Sequence, residues 1–214
     1  MTLRAVLWDV DDTLVLSEPF HFRSIQTTAA DYGIDMPESF QLEMVGRSAE
    51  ETFMLICERF GLEETFARWI TRRYQRYLQI SRDIPGRPGA LEAFHALHEA
   101  HVPQALVSNS DRIVVEANIR AMNLLVPRLV SVSINDVRNG KPDPEPYLRA
   151  AYLLGVEPAE CVVVEDSPTG ARSGLNAGMR VLAWPEVEDL AFPEGVTLVG
   201  EHIGPALAAL GLPS

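Results

Sequence analysis

Short apolar runs alternate with helical patterns along most of the chain. Runs rich in β-branched residues predict five strands, at Ala5–Trp8, Ala105–Val107, Leu129–Ile134, Cys161–Val164 and Val181–Ala183. Apolar positions spaced three and four apart, bounded by capping residues and glycines, predict the helices Leu91–Ala100, Ile113–Met122, Glu145–Leu154 and Pro168–Ala177. Short strands that alternate with helices in this way are typical of an open α/β domain with a parallel sheet.

The interval between the first predicted strand and Leu91 follows a different pattern. It contains helical patterns only, at Pro19–Tyr32, Ser48–Phe60 and Glu63–Ile80, and the second of these opens with the capping box Ser48-Ala-Glu-Glu51. Residues 82–89 include two prolines and two glycines, a composition typical of a linker. We therefore predict a core formed by residues 1–17 and 83–214, interrupted by an all-helical insertion at residues 18–82.

Polar side chains follow four of the predicted strands. They are Asp9 and Asp11 after the first strand, Ser108 and Asn109 after the second, Lys141 after the third, and Glu165 and Asp166 after the fourth. The carboxyl ends of parallel strands meet at one edge of a sheet, where open α/β domains bind ligands. Each group alone is also compatible with ordinary turn or helix-start chemistry. The combination favours one shared site.

The two aspartates after the first strand carry the strongest chemical signal. In extended backbone, Asp9 and Asp11 project to the same side, roughly 7 Å apart. Two like charges at the mouth of a buried strand repel and resist desolvation, so such an arrangement usually needs a cation or a proton between the groups.

Composition and charge narrow the possible functions. The 214 residues are 47% hydrophobic and 22% charged, as in an ordinary globular protein, and the formal net charge of −12 argues against nucleic-acid or anionic-membrane partners. No apolar stretch is long enough to span a membrane, and the first predicted strand begins close to Met1, so we expect no secretory signal and a cytoplasmic protein. Cys57 and Cys161 are far apart in sequence, which favours free thiols over a disulfide or a metal site.

The basic residues are unusual in their choice of side chain. Of the 18 lysine and arginine residues, Lys141 is the only lysine. A compact ammonium retained at one position suggests a place where a planar guanidinium does not serve, although chance remains an alternative explanation.

Four motifs now occur in a recognisable order: DVDDT at residues 9–13, LVSNS at 106–110, GKPDP at 140–144 and VVVEDS at 162–167. With these motifs, the chain resembles the haloacid dehalogenase-like hydrolase superfamily over nearly all of its length. The insertion resembles the helical cap of the branch that contains β-phosphoglucomutase and phosphoglycolate phosphatase. The resemblance implies a Rossmann-like open parallel sheet core with an inserted all-helical cap domain.

The resemblance also implies roles for the residues at the strand ends. Asp9 is expected to be the nucleophile that attacks a phosphate monoester, and Asp11 the general acid and base. Ser108, the amide of Asn109 and Lys141 are expected to hold phosphate oxygens. Thr13 is expected to orient the first loop.

A magnesium ion is the cofactor that the resemblance implies. Its expected ligands are Asp9, the backbone carbonyl of Asp11 and Asp166, with Glu165 as an accessory ligand.

Two features distinguish among the activities of this superfamily. True haloacid dehalogenases lack the acid that Asp11 provides, and phosphonatases carry a lysine in the cap, where this sequence has none. We therefore predict a magnesium-dependent phosphatase that acts on a sugar phosphate or phosphorylated sugar acid, as a monomer or weak homo-oligomer. The alternatives are a β-phosphoglucomutase-like mutase and, from another class, a non-catalytic binding module.

The helical insertion supplies the candidates for substrate selection. Glu18 and His21 follow the first linker, and Arg47 follows the turn Val45-Gly46. Where β-phosphoglucomutase has a cap lysine and a later arginine, this chain has Val45 and Ala49, which favours hydrolysis over mutase chemistry.

Overall fold

The computed structural model describes residues 3–44, 47–187 and 189–213. The chain divides into two compact units. We name Met1–Leu16 with Ile84–Ser214 the α/β unit, and Ser17–Asp83 the helical unit. None of the helices in the described part of the chain is long and apolar enough to cross a membrane.

The helical unit has its own core. Its α-helices, within the described residues, are α1 (Glu18–Ala30), α2 (Gln41–Met44), α3 (Ala49–Phe60) and α4 (Phe66–Ile80). Their buried faces share an apolar cluster that includes Phe22, Phe53 and Trp69, together with Phe40 of the short 3₁₀ helix Glu38–Phe40. The predicted capping box is confirmed, because Ser48 and Glu51 exchange hydrogen bonds at the start of α3.

The α/β unit is built on one parallel sheet, as the sequence predicts. Its strands are β1 (Ala5–Trp8), β2 (Gln104–Val107), β3 (Val130–Val132), β4 (Cys161–Glu165), β5 (Arg180–Ala183) and β6 (Thr197–Leu198), in the spatial order β3-β2-β1-β4-β5-β6. Every pair of neighbouring strands is parallel. Strand β1 is therefore central, and its end lies between the ends of β2 and β4.

Four α-helices of the α/β unit follow the predicted alternation, and a fifth, after the last strand, has no counterpart among the predicted helices. They are α5 (Ala90–Glu99), α6 (Arg112–Ala121), α7 (Glu145–Leu154), α8 (Pro168–Asn176) and α9 (Ile203–Ala209). Helix α5 begins at Ala90 because Gly89 has φ 81°, which is outside helical backbone geometry. Strand β3 ends at Val132, two residues before its predicted end, because Ser133 and Asp136 exchange hydrogen bonds in a short 3₁₀ turn.

Alternating strand residues pack against opposite layers of helices. One face contributes Leu7, Val107 and Val163 to a core shared with Tyr147 and Ala150 of α7. Trp8 lies on the other face, where its indole nitrogen donates to Gln104 Oε1 at 2.9 Å. The amide of Gln104 in turn donates to the carbonyl oxygen of Phe94 in α5 at 3.0 Å. These layers fix the strand ends that carry the polar side chains.

Candidate active site

The ammonium group of Lys141 is buried among oxygen atoms from three strand ends. Its Nζ donates to Asp9 Oδ1 at 2.5 Å, to Glu165 Oε1 at 2.5 Å and to the carbonyl oxygen of Val107 at 2.8 Å. Asp9 directly follows β1 and Glu165 ends β4, so the pairing of these strands places the two carboxylates side by side. The only lysine of the sequence thus joins the ends of β1, β2 and β4.

The pKa shifts at this centre show an excess of negative charge. Burial alone would lower the pKa of Lys141, but Asp9 and Glu165 raise it above its ordinary value, so the ammonium stays protonated. The pKa of Asp9 is also raised, because its burial and the neighbouring carboxylates outweigh the attraction of one ammonium. Full ionisation of these carboxylates therefore requires further positive charge.

Glu165 is held rigidly in this cluster. Its Oε1 accepts a hydrogen bond from the Tyr147 hydroxyl at 2.6 Å, and its Oε2 accepts one from Ser167 Oγ at 3.1 Å. A Cβ atom at Gly170 would lie 1.8 Å from Glu165 Oε1, so only glycine leaves room for the carboxylate. These contacts orient the oxygen that faces Lys141.

Three carboxylates could share one cation. Oxygen atoms of Asp9, Glu165 and Asp166 all lie within 4.8 Å of one another. Thr13 Oγ1 donates to Asp166 Oδ1 at 3.3 Å, so a hydrogen bond joins the first loop to this group. Burial, with the charges of Glu165 and Asp12, raises the pKa of Asp166 to about 8. An oxygen-only donor set with excess negative charge fits a hard divalent cation.

Asp11 points to a different set of partners. Its Oδ2 accepts hydrogen bonds from Ser108 Oγ at 2.9 Å and Ser110 Oγ at 2.8 Å, and its Oδ1 accepts one from Asn118 Nδ2 at 3.0 Å. The two aspartates of the first motif thus have different surroundings, one beside a cation and the other among neutral donors.

Asn109 has a structural contact beyond the phosphate-binding amide expected of it. Its side-chain oxygen accepts from the backbone amide of Lys141 at 2.8 Å, and its Nδ2 donates to the carbonyl oxygen of Lys141 at 3.1 Å. A Cβ atom at Gly140 would lie 2.7 Å from Asn109 Oδ1, so glycine permits this approach. Asn109 therefore fixes the backbone from which the ammonium projects.

Arg87 stabilises the loop that follows β1 by hydrogen bonds to backbone carbonyl groups. Its buried guanidinium donates to the carbonyl oxygens of Asp12 at 2.9 Å, Trp184 at 2.7 Å and Pro185 at 2.9 Å, and it stacks on the Trp184 ring at 3.8 Å. Asp12 has φ 56°, in the left-handed region that non-glycine residues rarely adopt. The arginine stabilises that turn, one residue beyond Asp11.

The candidates for substrate selection lie in the helical unit. Glu18 is exposed at the start of α1, and Arg47 is exposed with its Nε donating to the carbonyl oxygen of Glu43 at 2.7 Å. His21 stacks on Tyr77 with ring centroids 4.7 Å apart, and its Nδ1 lies 3.2 Å from Arg73 Nη2. Val45 and Gly46, on which the comparison with mutases partly depends, lie outside the described residues.

Four residues that contact Asp11, Asp12 or Glu165 have no role predicted from the sequence: Arg87, Ser110, Asn118 and Tyr147. Arg87 is hidden in a proline- and glycine-rich segment that resembles a linker, and Tyr147 resembles an ordinary core aromatic. Asn118 did carry a signal, because it is a polar residue on the apolar side of a predicted helix. Buried amides need hydrogen-bond partners, so such a position indicates a nearby polar group.

Comparison with known proteins matches this chain to one hydrolase family and to phosphatases. A family model described as haloacid dehalogenase-like hydrolase matches residues 3–178. Hexitol phosphatase A of Escherichia coli strain K12 is 34% identical over 183 residues, which cover 86% of this chain and 83% of that protein. A phosphorylated carbohydrates phosphatase of Thermotoga maritima is 27% identical over 178 residues, covering 83% of this chain and 82% of that one.

Solved structures share the whole fold. The crystal structure of CbbY from Rhodobacter sphaeroides in complex with phosphate superposes with a TM-score of 0.84, covers 99% of this chain and all of that one, and is 24% identical. At this identity, the likeness concerns the fold.

The shifted carboxylates predict how stability depends on pH in metal-free protein. The pKa of Asp166 is about 8 in the folded state against an ordinary 3.8, and the pKa of Asp9 is raised as well. Between these pH values the folded state holds protons that the unfolded state has released. These bound protons stabilise the folded state, and their contribution to the free energy of unfolding is complete below the pKa of the carboxyl group in the unfolded chain. It is lost as pH rises through the pKa in the folded state, by up to about 1.4 kcal/mol per pH unit for each proton.

Chemical denaturation in EDTA, at steps from about pH 5 to pH 8, measures this slope. We expect the free energy of unfolding to fall with pH, Asp166→Asn to flatten the fall, and a saturating divalent cation to reverse it. Stability of the metal-free protein that rises steadily to pH 8 would contradict this account of the acidic group.

Proposed function

The chain belongs to the haloacid dehalogenase-like hydrolase family and is a phosphoric monoester hydrolase, and we propose that it is a magnesium-dependent phosphatase that works through an aspartyl-phosphate. The observation that carries this proposal is that the two aspartates of the first motif, Asp9 and Asp11, have different surroundings. Asp9 lies against the ammonium of Lys141 and the acidic group, whereas Asp11, two residues later, is held apart by neutral donors. This difference supports Asp9 as the attacking group and Asp11 as the group that transfers protons.

The first chemical step uses Asp9 as the nucleophile. A carboxylate oxygen of Asp9 bonds to the phosphorus of the substrate while the bond from phosphorus to the leaving oxygen breaks. Asp11 donates its proton to that oxygen, so the organic product departs as a neutral alcohol. Lys141 neutralises charge on the phosphate oxygens, and the Ser108 hydroxyl and the amide of Asn109 help to orient them as hydrogen-bond donors.

The second step returns the enzyme to its starting state. Asp11, now ionised, takes a proton from water as the water oxygen bonds to phosphorus. The bond between phosphorus and Asp9 breaks, which releases inorganic phosphate and restores the Asp9 carboxylate. A magnesium ion held by Asp9, Asp166 and Glu165, with the carbonyl of Asp11, would supply the charge neutralisation that phosphoryl transfer requires.

The proposed substrate is a small phosphorylated sugar or sugar acid. The names of the relatives in Escherichia coli and Thermotoga maritima, a hexitol phosphatase and a phosphatase of phosphorylated carbohydrates, support this class. We place selectivity in the helical unit, with Glu18, His21 and Arg47 as the candidate residues. The contact of His21 with Arg73 and Tyr77 gives that part of α1 a fixed polar surface.

Replacement of the nucleophile tests the mechanism. Asp9→Asn keeps the volume of the side chain but removes the attacking oxygen, so we expect a folded protein whose hydrolysis of p-nitrophenyl phosphate falls by at least about 1,000-fold. EDTA should abolish the activity of the unmodified protein, and magnesium should restore it. Asp35→Asn makes the same chemical change at an exposed position of the helical unit and serves as the control. A folded Asp9→Asn variant with the normal rate would refute the covalent mechanism.

The lone lysine gives a second test. Lys141→Arg keeps the charge, but a planar guanidinium cannot occupy a site where one nitrogen lies within 2.8 Å of three oxygen atoms. We expect turnover to fall at least about 10-fold, equivalent to about 1.4 kcal/mol of transition-state stabilisation. The reverse exchange at an exposed site, Arg120→Lys, should leave turnover unchanged. Normal kinetics in Lys141→Arg would mean that the choice of lysine is incidental.

The mutase alternative differs only in what attacks the aspartyl-phosphate. A mutase must hold a second phosphate firmly while the intermediate turns around, and Ala49 offers no charge where β-phosphoglucomutase has an arginine. We therefore expect β-glucose 1-phosphate, where it is accepted, to yield inorganic phosphate. An assay coupled to glucose-6-phosphate dehydrogenase and primed with a bisphosphate decides the question. Sustained formation of glucose 6-phosphate, faster than phosphate release, would establish the mutase instead.

A further inference from the structure

The carboxylate of Asp11 is restrained at both of its oxygen atoms. Ser108 and Ser110 donate to Oδ2, and Asn118 donates to Oδ1 from the opposite side. The two serines belong to the segment after β2, whereas Asn118 projects from the second turn of α6. Two separate elements therefore determine the plane of this carboxyl group.

Asn118 is an unusual residue for its position. It is fully buried, and its neighbours on α6 include the buried apolar residues Val115, Ala117 and Ile119. An amide in such surroundings destabilises the fold unless it is hydrogen-bonded, and a leucine would pack there without that cost. The hydrogen bond that Asn118 donates to Asp11 therefore helps to account for an amide at this place.

The donors at the two oxygen atoms differ in chemical type. The amide nitrogen of Asn118 can only donate a hydrogen bond, so Oδ1 is committed as an acceptor. The serine hydroxyls at Oδ2 can donate or accept by rotating. Oδ2 is therefore the oxygen at which a proton can be gained or lost without breaking the surrounding hydrogen bonds.

We propose that Asn118 is a positioning residue that orients Asp11 so that Oδ2 is the atom that transfers the proton. This inference rests on the proposed function, in which Asp11 protonates the leaving oxygen. As a positioning residue, Asn118 acts through Asp11. It acts by preventing rotation of the carboxyl group away from the leaving oxygen.

The dependence of rate on the leaving group separates this role from a merely structural one. p-Nitrophenolate is a weak base that leaves without help, whereas p-cresolate needs a proton. Loss of proton donation therefore lowers kcat/KM for p-cresyl phosphate more than for p-nitrophenyl phosphate. A general loss of stability or folded fraction lowers both equally.

The experiment compares these two substrates for the unmodified protein, Asp11→Asn and Asn118→Leu, in saturating magnesium. For Asn118→Leu we expect the ratio of the two kcat/KM values to shift by about 10-fold against p-cresyl phosphate, in the same direction as for Asp11→Asn. Asn118→Ala, which suits a helix, repeats the measurement if the leucine variant does not fold. Ile119→Ala disturbs the packing of the same helix at a buried apolar residue and should leave the ratio unchanged.

The possible failures are distinguishable. A shifted ratio in Asp11→Asn with an unchanged ratio in both Asn118 variants would overturn the positioning role and leave the proposed function intact. An unchanged ratio in Asp11→Asn would show that Asp11 is not the general acid, and would overturn that part of the mechanism together with this inference.

Discussion

A buried ammonium group among carboxylates organises the α/β unit. Lys141 contacts Asp9 and Glu165 together, and removing one member of such a buried pair generally costs about 3–5 kcal/mol, because the remaining charge loses its compensation. The surrounding contacts keep this ammonium in place. Asn109 fixes its backbone, and Tyr147 and Ser167 fix Glu165. One positive charge still cannot balance the neighbouring carboxylates, so the same arrangement that holds the strand ends together could also hold a metal ion.

The central position of β1 makes two neighbouring aspartates chemically different. Asp9 emerges beside β4, where Lys141 and the acidic group lie, and its surroundings are dominated by charge. Asp11 emerges beside the segment after β2 and meets hydroxyl and amide donors. Environments that differ in this way suit different tasks, one for a nucleophile and one for a group that gives and takes a proton. Arg87 stabilises the strained turn at Asp12 that follows the pair.

The sequence was sufficient for the elements and residues that carry strong local signals. Apolar runs located β1, β2, β4 and β5. The polar residues predicted after the first four strands include Asp9, Lys141 and Glu165, which the structure brings together. The signal was weak for β6, which has two exposed residues, and for the short helix α9. Contacts made across the fold could not be predicted, because nothing local links Arg87 with Trp184 or Asn118 with Asp11. In a sequence, such residues can be recognised only where a polar side chain occupies a position that is predicted to be buried.

The order of strands in the sheet has a consequence for synthesis on the ribosome. Strand β1 is synthesised before the strands with which it pairs. Val6 pairs with Gln104 on one side and with Val162 on the other, so the centre of the sheet cannot form until most of the chain has emerged. The apolar core of the helical unit, by contrast, is formed by residues of one uninterrupted segment. The nascent chain therefore carries an apolar, unpaired strand through the whole period in which the helical unit can already pack. For that interval, the strand that precedes Asp9 lacks its partner strands, a condition that favours aggregation.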